Sequence, residues 1–531
     1  MRRAAAPSLL AGLLLALSCP VPAQADEPPV AEATTPETPA AESAPEQSVE
    51  QSAPEQSAEQ AAEQSAEQVL TQAEAALDGA GVGAAPDRDV TLALREVWLA
   101  RPDMTPAQRR TANSLLARPT TPGADSLASY DPGATTSRAC GARVCVTYVS
   151  TTADAATPAW ANQTLATMES AWTREVDQLG YRAPAPDGVT GGDARFDVYL
   201  ANISAKGLYG YCAPEAAVPN EPMRAQSYCV LDNDMTGFSM DPLSSLTVTA
   251  AHEFFHAVQF NIDAAEDQWF MEATATWMEE QVADDINDNR QFLKAGQLGR
   301  PGLSLDSYSS DLAMYGNWLF VQRLSQSFGV DAVRAVWDNL DATVGRRDDW
   351  SLQGLNRYLA GRGVSWSRFY TRFLIGNLAP RGAYEEGRAY RASPVSAKVQ
   401  LSAGQPVQTL RPRVAHLSSQ TVRIKAHRSL PARARLRVTV HAQGGRPSAP
   451  VATLLVLKRS GRTNQVDVHL NRHGQGSAKV SLQRGKVKRV LLVLGNASLR
   501  YRNCGGGSTW ACGGKPRDDG RRIEVELRAL R

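Results

Sequence analysis

The sequence predicts an α+β domain over residues 137–392 and an all-β sandwich over residues 393–531. Strand-like runs and long helical spacings occur together before Pro394, whereas short β-branched runs separated by Gly, Ser, Pro or Asn follow it. The chain has 531 residues, too many for one core, which favours more than one domain. Because 43% of the residues are hydrophobic, a wholly disordered chain is excluded.

The first 25 residues are typical of a secretory signal peptide. A basic start, Met1-Arg2-Arg3, precedes an apolar stretch from Leu9 to Leu17, and Ala23-Gln24-Ala25 has the small residues of a cleavage site. We therefore expect a secreted or periplasmic protein whose mature chain starts near Asp26. Cys19 leaves a lipid anchor as the alternative. No later apolar run approaches the ~20 residues of a transmembrane helix, so none is expected.

Residues 26–80 are predicted to be an acidic, low-complexity linker. Thirteen acidic residues and no Lys or Arg lie between Asp26 and Asp78. Few of these side chains suit a core, so we expect a solvated linker or stalk, with some helix in its later part, which lacks proline. Residues 81–136 contain short helical patterns between Thr91 and Leu116. These patterns predict either a pro-region or an N-terminal brace, and the sequence leaves both interpretations open.

The domain from residue 137 to 392 begins with strands and continues with helices. Alternating or continuous apolar runs predict three strands, and apolar spacings of three and four residues predict helices. The expected strands are 143–149, 195–200 and 227–231, and the expected helices are 160–179, 242–260, 269–282, 311–327, 330–340 and 364–377.

Six cysteines remain once the signal peptide is removed. An even number of cysteines in an exported protein favours disulfides, and a metal cluster would need paired C-x-x-C spacing, which is absent from the sequence. Six cysteines allow fifteen pairings, and proximity along the chain is a weak guide among them. The neighbouring pairs in the sequence are Cys140 and Cys145, Cys212 and Cys229, and Cys504 and Cys512.

The C-terminal region is strongly basic. Residues 395–531 hold 27 Lys and Arg against 5 Asp and Glu, a difference of +22, and their short runs predict seven or eight strands. An anionic surface or polysaccharide is one expected partner, and an accessory domain without a ligand is the alternative. Specific nucleic-acid binding is not expected, because stacking aromatics are nearly absent.

The strongest candidate for a catalytic motif is the segment His252-Glu253-Phe254-Phe255-His256. On a helix the two histidines lie one turn apart on the same face, so both imidazoles can bind one zinc ion, with Glu253 beside them to act on a water. The alternative is a buried structural pair of histidines, which would need other polar partners.

A catalytic zinc needs a third protein ligand and one open position. The other five histidines all follow Pro394, so a carboxylate is left, and Glu272 on the next helix is the candidate. Small Ala273 and Ala275 would allow that helix to approach the first one closely. The five remaining histidines are His416, His427, His441, His469 and His473.

The chain resembles the gluzincins, zinc peptidases with two His ligands and one Glu, and is similar to exported bacterial metallopeptidases. The resemblance rests on the segments 252–259, 269–279 and 315–320. It implies a zincin-like catalytic fold, zinc bound by His252, His256 and Glu272, and Glu253 as general base. The metzincin pattern does not fit, because Gln259 and Ile262 stand where that family has Gly and His.

The remaining site predictions concern supporting groups. Gluzincins often stabilise the oxyanion with a Tyr or His, and Tyr315 is the candidate here, with an ordinary packing role as the alternative. Thr276 and Glu279 are candidates to hydrogen-bond a metal ligand. The acidic segment 232–234 predicts a turn, with a structural calcium site as the alternative.

Together these features predict an exported zinc-dependent peptidase acting on protein or peptide substrates, an endopeptidase rather than an exopeptidase. One alternative is a non-catalytic surface-binding or adhesion protein with a structural or degenerate zinc site. Hydrolysis of a non-peptide amide is another, since the motif does not select the substrate.

Overall fold

The computed structural model describes residues 53–77, 90–124, 126–308 and 312–531. The predicted signal peptide, Cys19 and most of the acidic linker lie outside these residues. Over the described part, the protein is a mixed α/β structure with several β-sheets. No helix among the described residues has the length and apolarity needed to cross a membrane.

Helices dominate the first three quarters of the chain, in agreement with most of the expected segments. A helix at 351–361 was not predicted, and the single helix expected at 311–327 is broken into two near Asn317. The helices are α1 (Ala53–Leu77), α2 (Thr91–Ala100), α3 (Pro106–Leu115), α4 (Pro158–Trp172), α5 (Pro242–Asp263), α6 (Gln268–Val282), α7 (Ala313–Gly316), α8 (Trp318–Phe328), α9 (Asp331–Trp337), α10 (Ser351–Gly361) and α11 (Trp366–Leu378).

The first five strands, which form one sheet, all precede α5, and the strands of the other sheets all follow α11. The first five are β1 (Thr136–Cys140), β2 (Val144–Val149), β3 (Phe196–Ala201), β4 (Gly210–Val218) and β5 (Glu221–Asp232). The others are β6 (Ala397–Leu401), β7 (Val407–Leu410), β8 (Arg413–Val414), β9 (Ser419–Ala426), β10 (Arg435–Ala442), β11 (Pro450–Lys458), β12 (Thr463–Asp467), β13 (Gln475–Ser481), β14 (Val487–Asn496), β15 (Tyr501–Arg502), β16 (Lys515–Pro516) and β17 (Arg521–Leu530).

The first sheet supports helix α5. Its strand order is β1-β2-β3-β5-β4, with β2, β3 and β5 parallel and the two edge strands antiparallel to their neighbours. The central strands β2 and β3 are buried along their whole length, because helices cover them. Helix α5 packs on β4 and β5, so the antiparallel edge strand β4 runs beside the residues of the histidine motif.

The last part of the tract predicted as a solvated linker is a helix with one buried face. In α1 the side chains of Ala66, Leu70, Ala73 and Leu77 are buried in the main core. Their spacing of four, three and four residues places them on one face of the helix, so even an Ala- and Glu-rich segment has an apolar stripe to bury. The end of the tract therefore contributes one helical face to the main core.

The C-terminal strands form two facing five-stranded sheets. One has the order β13-β10-β17-β7 with β8 also pairing with β17, and the other has the order β12-β11-β14-β9-β6. A second hydrophobic core lies between them, and it includes Leu436, Val438 and Leu492. The expected seven or eight strands are too few, because short or half-polar strands such as β6, β7 and β8 carry little apolar signal.

The sandwich is joined to the helical part through buried contacts. Leu417, Val451 and Leu491 belong to the same core as the helices. The Tyr501 hydroxyl donates to Asp306, which precedes α7, and the Cys512 backbone N–H donates to the Asp267 carboxylate at 2.6 Å. The two parts therefore share an interior instead of meeting at a polar surface.

Within the described part of the chain, three disulfides join the cysteines that are neighbours in sequence. Two of them link Cys140 to Cys145 and Cys212 to Cys229 within the first sheet. The third closes the loop between Cys504 and Cys512, which contacts the start of α6. The disulfide prediction is confirmed.

Candidate metal centre

Helix α5 carries the histidine motif through the core. It begins at Pro242, after Asp241 caps it by accepting the Ser244 N–H at 3.0 Å. His252 and His256 are both buried on the same face, and their Nε2 atoms lie 3.1 Å apart. The structure therefore brings the two imidazole edges together, as the i, i+4 spacing predicted.

Helix α6 places a carboxylate against these imidazoles. The Glu272 Oε2 atom lies 3.3 Å from His252 Nε2 and 3.8 Å from His256 Nε2. Ala273 and Ala275 are fully buried, so small side chains line the neighbouring positions of this closely packed helix. One ligand atom from each of His252, His256 and Glu272 falls within 4.8 Å of the other two.

Two further side chains fix the orientation of the imidazoles. Glu279, two turns after Glu272 on α6, lies 2.9 Å from His252 Nδ1 through Oε1. Gln259 lies 2.7 Å from His256 Nδ1 through its amide oxygen, while its amide nitrogen donates to the Met271 carbonyl at 3.0 Å. Because that nitrogen has its own acceptor, the oxygen must face His256 as the acceptor.

This orientation determines which imidazole nitrogens can bind a metal. Gln259 and Glu279 each accept from an Nδ1–H, so in the neutral imidazoles the Nε2 lone pairs point toward Glu272. The Glu272 Oε2 atom is buried, and no described residue donates a hydrogen bond to it. Two imidazole Nε2 atoms and a carboxylate oxygen therefore converge on one point, which fits a bound divalent cation.

The site also favours positive charge. Burial lowers the pKa of His256, but the adjacent Glu272 carboxylate raises it, and the net direction is upward. A cation placed among these groups would gain the same attraction. Nitrogen and carboxylate ligands in this set are those that zinc prefers.

Glu253 lies beside the ligands and against the edge strand. Its Oε2 atom accepts a hydrogen bond from the Thr91 hydroxyl at 2.9 Å, and Thr91 in turn accepts the Cys212 backbone N–H at 2.9 Å. Gly210 on β4 faces the Glu253 side chain, and a Cβ there would lie 3.1 Å from Glu253 Cγ and 2.8 Å from Leu231 Cδ2. The missing side chain at Gly210 makes this close approach feasible.

A narrow cleft opens onto the motif. It has a volume of about 20 Å³, enough for roughly one water, and its lining includes His252, Glu253, Glu279 and Tyr315. The Tyr315 ring stacks on His252 with centroids 5.8 Å apart. Gly316 follows it and touches Gly296 so closely that no Cβ would fit at either position. Tyr315 thus lies at the centre, and its role as an oxyanion donor stays a prediction.

A buried acid that the sequence analysis did not predict lies just after α4, close enough to His252 to interact with its charge. Glu175 is fully buried in a π-helical turn at 173–178, and neither carboxylate oxygen has a hydrogen-bond partner among the residues that the structure describes. Burial raises the pKa of Glu175 well above its ordinary range, although the charge of nearby His252 lowers it. Burial therefore favours the protonated form of Glu175. A lone Glu in a helical pattern gives no sequence signal for this.

Of the two residues predicted to hydrogen-bond a metal ligand, Glu279 does so and Thr276 does not. Glu279 contacts a candidate ligand, as predicted, whereas the buried Thr276 hydroxyl has no hydrogen-bond partner and contacts none. Gln259 and Thr91 were not predicted as site residues. Gln259 could have been predicted, because it lies three residues after His256 on the same helix. Thr91 could not, because it is far from Glu253 in the sequence.

The acidic segment 232–234 forms a turn at the end of β5. The Asp232 carboxylate accepts backbone N–H groups of Ser204 at 2.7 Å and Met235 at 2.8 Å, among others. Asn233 donates to the Ala155 carbonyl at 2.9 Å. These contacts are the backbone-binding pattern expected of acidic turn residues.

Comparison with known proteins gives a family match and partial similarities to solved structures. A family model described as "Family of unknown function (DUF6055)" matches residues 144–353, which include both helices of the candidate metal centre. No curated protein matches the chain.

Two of the similar structures belong to much longer proteins. Aminopeptidase A of Legionella pneumophila, in complex with aspartic acid, has 9% identity and a TM-score of 0.31, and the match covers 67% of this chain and 37% of that one. BtGH115A, a family GH115 4-O-methyl-alpha-glucuronidase with specificity for decorated arabinogalactans, has 10% identity and a TM-score of 0.13, over 54% and 38%. The chain spans less than two fifths of either protein, and neither score carries an argument about fold or function.

Proposed function

We propose that this protein is an exported zinc-dependent peptidase, an endopeptidase of the gluzincin type with a zincin-like catalytic domain. The observation that carries the proposal is the convergence of His252, His256 and Glu272 beside Glu253. Three disulfides support an extracytoplasmic location, because such bonds persist in oxidising compartments.

Zinc is the cofactor that we propose for this centre. His252, His256 and Glu272 would hold it, with Glu279 and Gln259 orienting the two imidazoles. When bound, the ion would polarise the scissile carbonyl and make water a stronger acid. A set of three protein ligands is typical of catalytic zinc sites, whereas structural sites usually have four.

The chain's own residues then supply proton transfer and charge stabilisation. Glu253 would accept a proton from the attacking water and deliver it to the leaving amine nitrogen. The Thr91 hydroxyl, bound to the Cys212 N–H, holds the Glu253 carboxylate in place through a 2.9 Å hydrogen bond. Tyr315, in the same cleft, would donate its phenol proton in a hydrogen bond to the developing oxyanion.

The proposal is tested with the secreted chain, its Glu253→Gln variant and its Glu272→Ala variant. We expect one zinc per chain in the first two and a large loss of zinc in Glu272→Ala. Hydrolysis of casein should fall by about 10²–10⁴-fold in Glu253→Gln. Equal turnover by the wild type and a zinc-loaded Glu253→Gln variant would refute the assigned mechanism.

The second candidate is a non-catalytic surface-binding or adhesion protein in which the same ligands hold a structural ion. The basic C-terminal sandwich favours it, because a charged accessory domain can serve attachment as well as catalysis. Stoichiometric zinc without hydrolysis of casein or of a peptide library would support this candidate over the peptidase.

A further inference from the structure

The charge of the sandwich is concentrated on outward strand positions. Leu436, Val438 and Val440 of β10 point into the second core, whereas the intervening residues face outward. The outward face of the sheet formed by β13, β10, β17, β7 and β8 is therefore where the basic residues of these strands lie. We call this surface the basic face.

The strand register brings three cations of the basic face into one row. Arg437 lies directly opposite Lys479 of β13 and directly opposite Arg528 of β17. Arg528 contacts Glu526 at 3.0 Å, but Arg437 and Lys479 have no ion pair with any described residue. Like charges directly opposite each other destabilise a sheet, and neighbouring strands are only ~4.8 Å apart. The repulsion within the row (Arg437, Lys479, Arg528) therefore lowers the stability of the folded state.

A second cationic site lies at the other end of the same face. Arg413 of β8 is directly opposite Arg522 of β17, and both line a cleft of about 500 Å³. His441 and His473 also line this cleft, together with Glu524. In the described structure neither guanidinium forms an ion pair, and Glu524 is bound to a different cation, Arg411, at 3.1 Å. We call this site the basic cleft.

We propose that the basic face binds an anionic polysaccharide, with acidic groups of the polymer at both the row and the basic cleft. Arg522 and Arg528 are six residues apart on one strand, which separates the two sites by about 20 Å. Small anions cannot bridge that distance, whereas an extended polymer can. A bound polymer would also neutralise the repulsion within each site.

The neutral groups between the two sites favour a sugar polymer, and the one carboxylate among them, Glu526 opposite Thr439, is paired with Arg528. Thr439, Ser477 and Gln475 occupy outward positions on β10 and β13, and their hydroxyl and amide groups can hydrogen-bond sugar hydroxyls. Nucleic acid is disfavoured, since the only aromatics after residue 394 are Tyr501 and Trp510, both packed near His416 instead of on this face.

A membrane surface is disfavoured for a different reason. The large apolar side chains exposed among the described residues are Val189, Met223, Leu243 and Val344, and all precede the sandwich. The basic face thus offers no apolar group to insert between lipid headgroups, and attachment to a bilayer would rest on charge alone.

Binding of the secreted full-length chain to polygalacturonate, with neutral dextran as the control polymer, tests the proposal. Two variants alter the sites, R437E/K479E in the row and R413E/R522E in the basic cleft. K398E/K425E is the matched control, because it changes the net charge equally at exposed positions of the opposite sheet. We expect each site variant to weaken binding about tenfold or more at 50 mM salt, and the control variant to bind nearly as the wild type.

Several results would overturn the proposal. Equal weakening by K398E/K425E would show that net charge alone drives binding. Tighter binding to phosphatidylglycerol vesicles or to duplex DNA than to polygalacturonate at the same salt would assign a different partner. Absence of polygalacturonate binding would reject the site. Because binding is measured without peptide hydrolysis, failure here leaves the proposed peptidase activity untouched, and an inactive protein can still bind.

Discussion

Replacing Gln259 by Leu should weaken zinc binding without removing any ligand. The substitution deletes the acceptor of the His256 Nδ1–H and the donor to the Met271 carbonyl, which are now 2.7 Å and 3.0 Å from the amide. His256 is then no longer fixed with its Nε2 lone pair toward Glu272. Losses of outer partners of this kind cost about 10–100-fold in metal affinity, or roughly 1.4–2.7 kcal/mol.

The measurement is competition for zinc between the full-length protein and a chromophoric chelator. Gln322→Leu is the matched control, because Gln322 is also buried and its amide oxygen accepts a hydrogen bond from Trp277 on α6 at 2.9 Å. Both variants should lose about 1–3 kcal/mol of unfolding free energy from unpaired buried groups. Only Gln259→Leu should bind zinc more weakly. Equal zinc dissociation constants in the two variants would refute the assigned role of Gln259.

Three other results are expected. Zinc at a hundredfold excess over its dissociation constant should stabilise the protein by about 2.7 kcal/mol in thermal melts, and the shift should vanish in Glu272→Ala. Thr91→Val leaves the buried Cys212 N–H unpaired, so urea unfolding should show a loss of about 1–3 kcal/mol, whereas Thr91→Ser should be milder. Burial, reinforced by Asp348, raises the pKa of Asp263 to about 8, so the folded protein keeps a proton that the unfolded chain loses above about pH 4. That stabilisation is complete below pH 4 and is lost as pH rises toward 8. Asp263→Asn should therefore flatten the fall in stability between pH 4.5 and 8, and an unchanged pH dependence would contradict the prediction.

The residues of the candidate centre could be predicted from the sequence because they follow helical periodicity. The spacing of His252 and His256 fixed their common face, and the exclusion of other histidines left Glu272. The contacts of Glu253 could not be predicted, because its hydrogen-bond donor Thr91 lies 162 residues away in the sequence. Such a contact depends on how an N-terminal helix lies across an edge strand, which local pattern does not encode.

The fold shows the same division between strong and weak local signals. The continuous apolar run of β2 and the long apolar helix α5 were predicted nearly to their ends. The edge strands β1 and β4 were missed, since β1 alternates polar residues and β4 contains Pro214 among small residues. Strands of this kind form because a neighbour pairs with them, which requires the tertiary structure.

The shared interior of the helical part and the sandwich limits how the chain can be divided. A fragment ending near residue 392 would expose to water the helix surface that Leu417, Val451 and Leu491 now cover. Each such side chain is worth about 1.5–3 kcal/mol when fully buried, a large fraction of the stability of an ordinary domain. Nicking at the boundary should thus yield two pieces that stay associated, and deletion of either half should give an insoluble product.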